Sequence, residues 1–453
     1  MAKIGFVSLG CPKNLVDSEV MLGLLKKAGH TLTQDKSDAD VIVVNTCSFI
    51  EASKKESIGT ILEMAELKET GRCQRLVVTG CLAERYPREI ATDLVEVDAI
   101  LGTNQIKEIC DAVAGEPVLP PTSFARGDAD LYLYDHTTPR TLSTPGYSAY
   151  IKIAEGCDHT CAFCIIPKIR GGFRSRTVPS VVQEARDLAT QGVKEITLVS
   201  QDTTSYGLDR GLRQDLAQLL EALAEVEGIR WIRLLYLYPS MISDHLLDVV
   251  SSHPKVCNYI DMPLQHASAS VLKAMRRGGD RRTLSRLVDR IRKQIPDVTF
   301  RTTMIVGFPG ETEADFQELH DFCREMEFDR LGVFTYSDEE NTSAHDLADK
   351  VPGRTAEQRR RVLMELQSEI AARKNRALVG KEYPILVEGP SRESELLLEG
   401  RLESQAPEID GLCLINDSEI GPVQAGEFYT VRIDRALGHD LLGSITSRAF
   451  ASA

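Results

Sequence analysis

The run AYIKIAEGCDHTCAFC, residues 149–164, joins an apolar strand pattern to three cysteines within eight residues, Cys157, Cys161 and Cys164. Three thiols this close can act together only if a loop gathers them as thiolates. Structural zinc sites close with four ligands, usually as two separated pairs, and no partner pair lies near. His159 is the one nearby candidate for a fourth ligand, and its place on the loop predicts that it points to solvent. Ferredoxin clusters use a C-x2-C-x2-C run with a remote fourth cysteine, which the C-x3-C-x2-C spacing here does not match. A triplet without a fourth protein ligand is what a chemically active metal centre needs.

Outward from this loop, β-α alternation runs from about 147 to 374. Strand candidates are AYIKIAE, EITLVSQ, WIRLLYLY, NYIDMPL, TFRTTMIVGF and RLGVFTY, separated by helix-like stretches such as SVVQEARDLATQG. Six such units predict a curved parallel sheet, closed or partly closed, with its site at the C-terminal rim of the strands. Polar or glycine-bearing strand ends there are candidates to hold a ligand: Ser200-Gln201-Asp202, and Gly307 with Gly310 in VGFPGE. Glycine permits close backbone approach, and turn chemistry is the competing reading. Tyr206, Gln265 and His266 fall in rim loops with no assignable role.

Toward the N-terminus, residues 3–114 alternate on a smaller scale. KIGFVSLG, DVIVVNT and RLVVTG read as strands, and NLVDSEVMLGLLKKAG as an amphipathic helix ended by Lys26, Lys27 and Gly29. This predicts a small doubly wound parallel sheet, whose ligands gather beyond the strands' carboxyl ends. Cys11, Cys47 and Cys81 close the runs VSLGC, VVNTC and VVTGC. A single cysteine after a strand is more often an inert buried thiol, the reading for Cys73, Cys110, Cys257, Cys323 and Cys413. Three at matching strand ends predict a second ligand set.

Residues 115–146 are rich in Pro, Thr, Ser and Asp and read as a linker or surface-wrapping segment. Residues 354–378 form a charged helix pattern. After it EYPILVEG, ELLLEGR, LCLIND and FYTVRIDRAL are short strands, predicting a small β-barrel of oligonucleotide-binding type over 379–446. The net charge is −14, and the last 75 residues, with 6 Lys+Arg against 13 Asp+Glu, supply half of it. Such a module repels phosphate backbones and attracts basic partners. The helix pattern RRTLSRLVDRIRK (281–293) sets Arg282, Arg286 and Arg290 on one face, read as solvated. No secretory leader or membrane span is visible, and eleven cysteines suit a reducing compartment, so a cytoplasmic address is expected.

The compact triplet, with Phe163 before its last cysteine, resembles the radical S-adenosylmethionine (SAM) enzymes. The resemblance implies a partial β/α barrel in which Cys157, Cys161 and Cys164 hold a [4Fe–4S] cluster. The open iron of that cluster would chelate SAM and yield a 5′-deoxyadenosyl radical; Phe163 would lie near the adenine, with Gln201, Gly307 and Gly310 as further SAM-binding candidates. With GCPKNLVDSE (10–19), NTCSFI (45–50), TGCLAER (79–85) and MIVGFPGETE (304–313), the whole chain resembles the methylthiotransferases. That implies three parts: an N-terminal domain (1–114), whose Cys11, Cys47 and Cys81 hold a second [4Fe–4S] cluster; a radical SAM domain (147–376) after a linker (115–146); and a TRAM domain (379–446).

One branch of that family modifies isopentenylated adenosine in tRNA. The other adds methylthio to the β-carbon of an aspartate in ribosomal small-subunit protein twelve. Cys-Pro-Lys-Asn (11–14) and IIPKIRGG (165–172) look like the protein-modifying branch, and the acidic tail suits a basic ribosomal protein, free or on the ribosome, with nucleic-acid contact secondary. An electron donor such as flavodoxin or ferredoxin is implied. A non-catalytic iron–sulfur or zinc scaffold docking on the ribosome is the reading from another class.

Overall fold

A computed structural model describes residues 1–121, 131–212, 215–392 and 394–450. The N-terminal unit contains β1 (Lys3–Ser8), α1 (Pro12–Lys27), β2 (Thr31–Thr33), β3 (Val41–Thr46), α2 (Glu51–Thr70), β4 (Arg75–Gly80), α3 (Cys81–Arg85), α4 (Pro87–Asp93), β5 (Ala99–Leu101) and α5 (Ile109–Ala114). Its sheet is parallel throughout, in the order β2-β1-β3-β4-β5. The central strand β3, VIVVNT, is buried along its whole length, as a strand covered on both faces must be. β2 and β5, three residues each, were not foreseen.

Then come β6 (Ser148–Lys152), β7 (Ala154–Glu155), α6 (Ile166–Arg170), β8 (Arg174–Ser175), α7 (Val178–Thr190), β9 (Glu195–Val199), α8 (Asp215–Ala224), β10 (Trp231–Leu234), α9 (Asp244–Ser252), β11 (Tyr259–Asp261), α10 (Ala269–Ala274), α11 (Arg281–Gln294), β12 (Thr299–Val306), α12 (Glu313–Met326), β13 (Arg330–Thr335) and α13 (Gly353–Arg376). All six strand candidates are present. They run parallel as β6-β9-β10 and β11-β12-β13, joined through an Ile232–Val256 bridge. The barrel is therefore partial, with a gap between β6 and β13. The helices seat a large apolar core against its outer face. Arg282, Arg286 and Arg290 lie exposed on α11, the solvated face foreseen.

The N-terminal unit bridges that gap. On one side Asp17 of α1 pairs with Lys152 of β6. On the other, buried Arg85 of α3 donates to Glu339 Oε2 (2.8 Å) and the Glu340 carbonyl (3.0 Å), just past β13. The described part of 115–146 wraps the seam: Arg140 bonds Glu19 of α1 (2.5 Å) and Glu184 of α7 (2.6 Å), and Tyr134 is buried beneath it. Residues 122–130 lie outside the described residues.

The last strands, β14 (Glu382–Pro390), β15 (Leu398–Leu402), β16 (Cys413–Ser418), β17 (Phe428–Leu437) and β18 (Asp440–Arg448), close into a barrel in the order β14-β15-β16-β18-β17. β18 was missed in the sequence, because its alternation is thin; it nevertheless completes the closure. This barrel packs on the N-terminal ends of the central strands. Glu195, the first residue of β9, is fully buried between Arg401 and Arg233, and the Tyr259 hydroxyl donates to Asp410 (2.6 Å). The two ends of the partial barrel are thus covered by different partners. Among the described residues, no helix is long and apolar enough to cross a membrane.

Candidate functional site

Both cysteine triplets lie on the rim opposite the small barrel, the dispersed one directly beyond parallel strands and the compact one beyond the short β7 that continues from β6. Cys11 follows β1 at the start of α1, Cys47 follows β3, and Cys81 follows β4 and opens α3. Cys157 follows the short β7, with Cys161 and Cys164 on the loop before α6. Glycines in the left-handed region precede one cysteine of each loop: Gly10 (φ +92°), Gly80 (φ +95°) and Gly156 (φ +81°). A Cβ at 10 would stand 2.8 Å from Cys47 Cβ, one at 80 would stand 2.2 Å from Asn45 Oδ1, and one at 156 would stand 2.0 Å from the Gly172 carbonyl. The backbone is packed so closely there that only glycine fits, which is how residues remote in sequence come together.

The dispersed triplet is tied by side chains that sequence reasoning did not single out. Asn14 Nδ2 donates to the Leu9 carbonyl (2.6 Å) and the Thr46 carbonyl (3.3 Å), joining the ends of β1 and β3. Asn45 Nδ2 returns a bond to the Asn14 carbonyl (3.0 Å). Buried Ser57 of α2 holds both main-chain groups of Cys47, at 3.0 and 2.8 Å. Arg170 reaches Cys81 Sγ at 3.5 Å while pairing with Asp17 and Glu155 at 2.9 Å each. Its partner Glu155 also accepts from Gln201 Nε2 (2.6 Å) and from the amide of Gly156, next to Cys157 (3.2 Å). One buried network therefore runs from Cys81 to the compact triplet. Cys81 also packs on Ile165, the residue after Cys164, and on Ile169 of α6. The residue type that could have betrayed this network is the acid-and-arginine set at 14–19 and 170, which a pattern search for strands and helices passes over.

Burial pushes the Cys47 thiol up, Cys81 and Cys164 to about 12 and Cys157 to about 11. Cys11, half-buried, is pushed up by desolvation too, yet the cations of Lys13 and Arg170 bring it below its ordinary value. Thiols this high keep their protons near neutrality unless a metal displaces them, and this donor set of soft sulfur ligands fits an iron–sulfur group. Among the described residues no three His, Cys, Asp or Glu side chains close on one point as ligands of a single ion would. A polynuclear cluster takes each thiolate on a different iron, so its thiolates stand farther apart.

His159 does not extend into solvent as expected. Its ring stacks on Tyr238 (centroids 3.7 Å apart) and its Nε2 donates to buried Asp202 (2.6 Å). Arg277 covers the other neighbourhood of Tyr238 (4.3 Å to the ring centroid) and reaches Cys161 Sγ at 3.5 Å. The imidazole braces the loop instead of offering a ligand nitrogen.

Phe163 is half-buried against the apolar patch of Ala162, Val271, Met275 and Phe308. Gln201 Oε1 and Gln265 Oε1 are buried acceptors without a hydrogen-bond partner among the described residues, and Gln265 sits in the left-handed region at φ +74°. Gly307 and Gly310 form a turn: the amides of Gly307 and Phe308 donate to Glu311, and a Cβ at 307 would stand 2.4 Å from Ala356 Cβ. Gly307 thus makes room for α13, while Gly310 faces open space. Tyr206 is buried. His266 is buried too; its Nδ1 accepts from the Ser268 amide (3.0 Å), and burial lowers it to about 4, so it is neutral.

Three family models match this chain: "Uncharacterized protein family UPF0004" over residues 3–102, "Radical SAM superfamily" over 151–323 and "TRAM domain" over 379–446. A protein of Solibacter usitatus named ribosomal protein uS12 methylthiotransferase RimO is 54% identical, over 98% of this chain and 94% of its own length. One of the same name from Koribacter versatilis is 50% identical over 98% and 96%. The solved structure of the radical SAM methyltransferase TsrM of Kitasatospora setae, with tryptophan and a SAM analogue, shares the fold at a TM-score of 0.54 and 15% identity, covering 73% of this chain and 72% of that one. With identity of this level along nearly its whole length, the chain belongs to the RimO family of SAM-dependent, radical SAM methylthiotransferases.

Proposed function

We propose that this enzyme places a methylthio group on the β-carbon of an aspartate in ribosomal protein uS12. The observation that carries this is that the two cysteine triplets lie on one rim, with Cys81 of one packed on Ile165, the residue after Cys164 of the other. In this reading Cys157, Cys161 and Cys164 hold a [4Fe–4S] cluster at which SAM binds, and Cys11, Cys47 and Cys81 hold a second. When bound, the first group and SAM supply a radical able to break an unactivated C–H bond, and the second supplies sulfur. The chain's residues do the rest. Arg170 and Arg277 set a cation against one sulfur of each triplet, where the negative charge of a metal-bound thiolate would meet it. Phe163 offers an apolar face for adenine, and Gln201 and Gln265 offer buried carbonyl oxygens to a donor. The N-terminal unit closes the barrel's gap and so keeps water from a radical site.

The domains follow as 1–114, 147–376 and 379–446, with 115–146 as connection. The small barrel stands at the far end from the rim, so its acidic surface would hold the basic substrate protein, or the particle carrying it, at a distance from the chemistry. A cytoplasmic location and a flavodoxin- or ferredoxin-type reductant complete the reading. Anaerobic turnover with SAM and reductant, offering small ribosomal subunits and tRNA separately, tests it. A mass gain of one SCH2 unit on uS12 is expected; the same gain on tRNA alone overturns it.

A further inference from the structure

Most cations in the interior have an acid beside them. Arg85, Lys152, Arg170, Arg176, Arg233, Arg359 and Arg401 are all buried and all ion-paired. Lys13 is the exception. It is 8% exposed, and among the described residues no carboxylate lies within ion-pair distance of its Nζ. Its contact is the face of Tyr236, 3.2 Å from the ring centroid. A cation–π contact offsets part of the loss of hydration, but a buried ammonium ordinarily demands an anion.

Tyr236 itself is held in an uncommon conformation. It lies two residues past β10 with φ +63°, a region that costs a bulky residue energy and persists only where the surroundings enforce it. They do: its amide donates to Asp261 Oδ2 (2.9 Å) and its carbonyl accepts from Thr203 (3.0 Å). Asp261 is in turn paired with Arg301 (2.6 Å) and makes no ion pair with Lys13. The ring is thus a fixed platform at the carboxyl ends of the central strands. It holds an amino group that, among the described residues, has no carboxylate in ion-pair contact, two residues from Cys11.

We propose that Lys13 is the receptor for the side-chain carboxylate of the acceptor aspartate, a specificity-determining residue that rests on the function proposed above. The buried ammonium selects an acidic side chain, and the anion that completes its pairing arrives with the substrate. A nucleobase bearing an isopentenyl group carries no such anion. Leaving Lys13 unpaired with that ligand would cost what any broken buried pair costs.

The test is a double-mutant cycle on the reconstituted enzyme, measuring Kd without reductant and KM with it. Wild type, Lys13→Met and Lys13→Arg are each offered small subunits whose uS12 carries the acceptor aspartate or asparagine in its place. Wild type should bind the aspartate form roughly a hundredfold more tightly than the asparagine form. Lys13→Met should bind both as weakly as wild type binds asparagine, and Lys13→Arg should recover part of the difference. Iron content and the visible absorption of the clusters should match in all three. Equal losses on both substrates, or no loss, would overturn the inference, the first meaning that Lys13 serves the neighbouring cysteines. If wild type leaves uS12 unmodified, the proposed function falls and this inference with it; if uS12 is modified but the cycle is additive, only the inference falls.

Discussion

The two triplets are assembled by opposite routes. Cys157, Cys161 and Cys164 lie on one loop, so a short stretch of chain carries the whole arrangement, and its neighbours Arg277, Tyr238 and His159 brace it from outside. Cys11, Cys47 and Cys81 are 70 residues apart from first to last, and only the order of a parallel sheet brings them together. A loop triplet depends on local turns. A sheet triplet depends on the domain, on Asn14, Asn45 and Ser57, and on Arg170 reaching over from the barrel. The dispersed set should therefore be the more fragile of the two.

The arginines that touch a sulfur in each set offer the sharpest contrast. Arg170 is buried among Asp17, Glu155 and Asn14. Removing one member of such a group leaves charges unpaired in the interior, so Arg170→Met should cost about 3–5 kcal/mol of stability. Arg277 is only half-buried and lies on the Tyr238 ring, where loss of a cation–π contact is worth about 1 kcal/mol. Thermal unfolding of the two variants checks the difference; equal losses would remove the distinction drawn here.

Glycine substitutions come next in size. Gly80→Ala combines φ +95° with a Cβ 2.2 Å from Asn45 Oδ1, so a loss of at least about 2 kcal/mol is expected, with iron binding at the dispersed set reduced. Gly310→Ala meets open space and pays only for its left-handed backbone, about 1 kcal/mol. Denaturant unfolding measures both, and a Gly310 variant as damaged as the Gly80 variant would mean that the 307–311 turn does more than connect.

The smallest effect is a ranking of thiol reactivity in the metal-free chain. Burial holds Cys81 near 12 and raises Cys47, whereas Lys13 and Arg170 lower Cys11 against desolvation. Since the thiolate is the reacting form, alkylation at mildly alkaline pH should label Cys11 first in its set. Peptide mass mapping with time reads the order, and simultaneous labelling of all three would show that the cations do not act as described.

Much of the architecture was legible from residues alone. All six barrel strands and three of the five N-terminal strands carry enough consecutive apolar residues to declare themselves, and the cysteines mark their ends. β2, β5 and β18 were not seen: the first two are three residues long, and β18 alternates Gly, Ser and Thr with its apolar positions. What one-dimensional pattern cannot carry is contact between units. The bridging of the β6–β13 gap, the Arg401–Glu195–Arg233 seam beneath the barrel and the isolation of Lys13 depend on which charge meets which. His159 shows the same limit in miniature: as a polar loop residue it reads as exposed, yet Asp202 lies 43 positions away and claims it.

The central claim is that the triplets have separate duties. Parallel anaerobic assays of Cys161→Ala and Cys47→Ala, scoring 5′-deoxyadenosine and methylthiolated product together, test it most directly. Cys161→Ala should lose both. Cys47→Ala should still cleave SAM while making no methylthio product, with iron falling from about eight per chain toward four. Product from a Cys47→Ala enzyme, or loss of SAM cleavage in it with the compact cluster intact, would contradict the account.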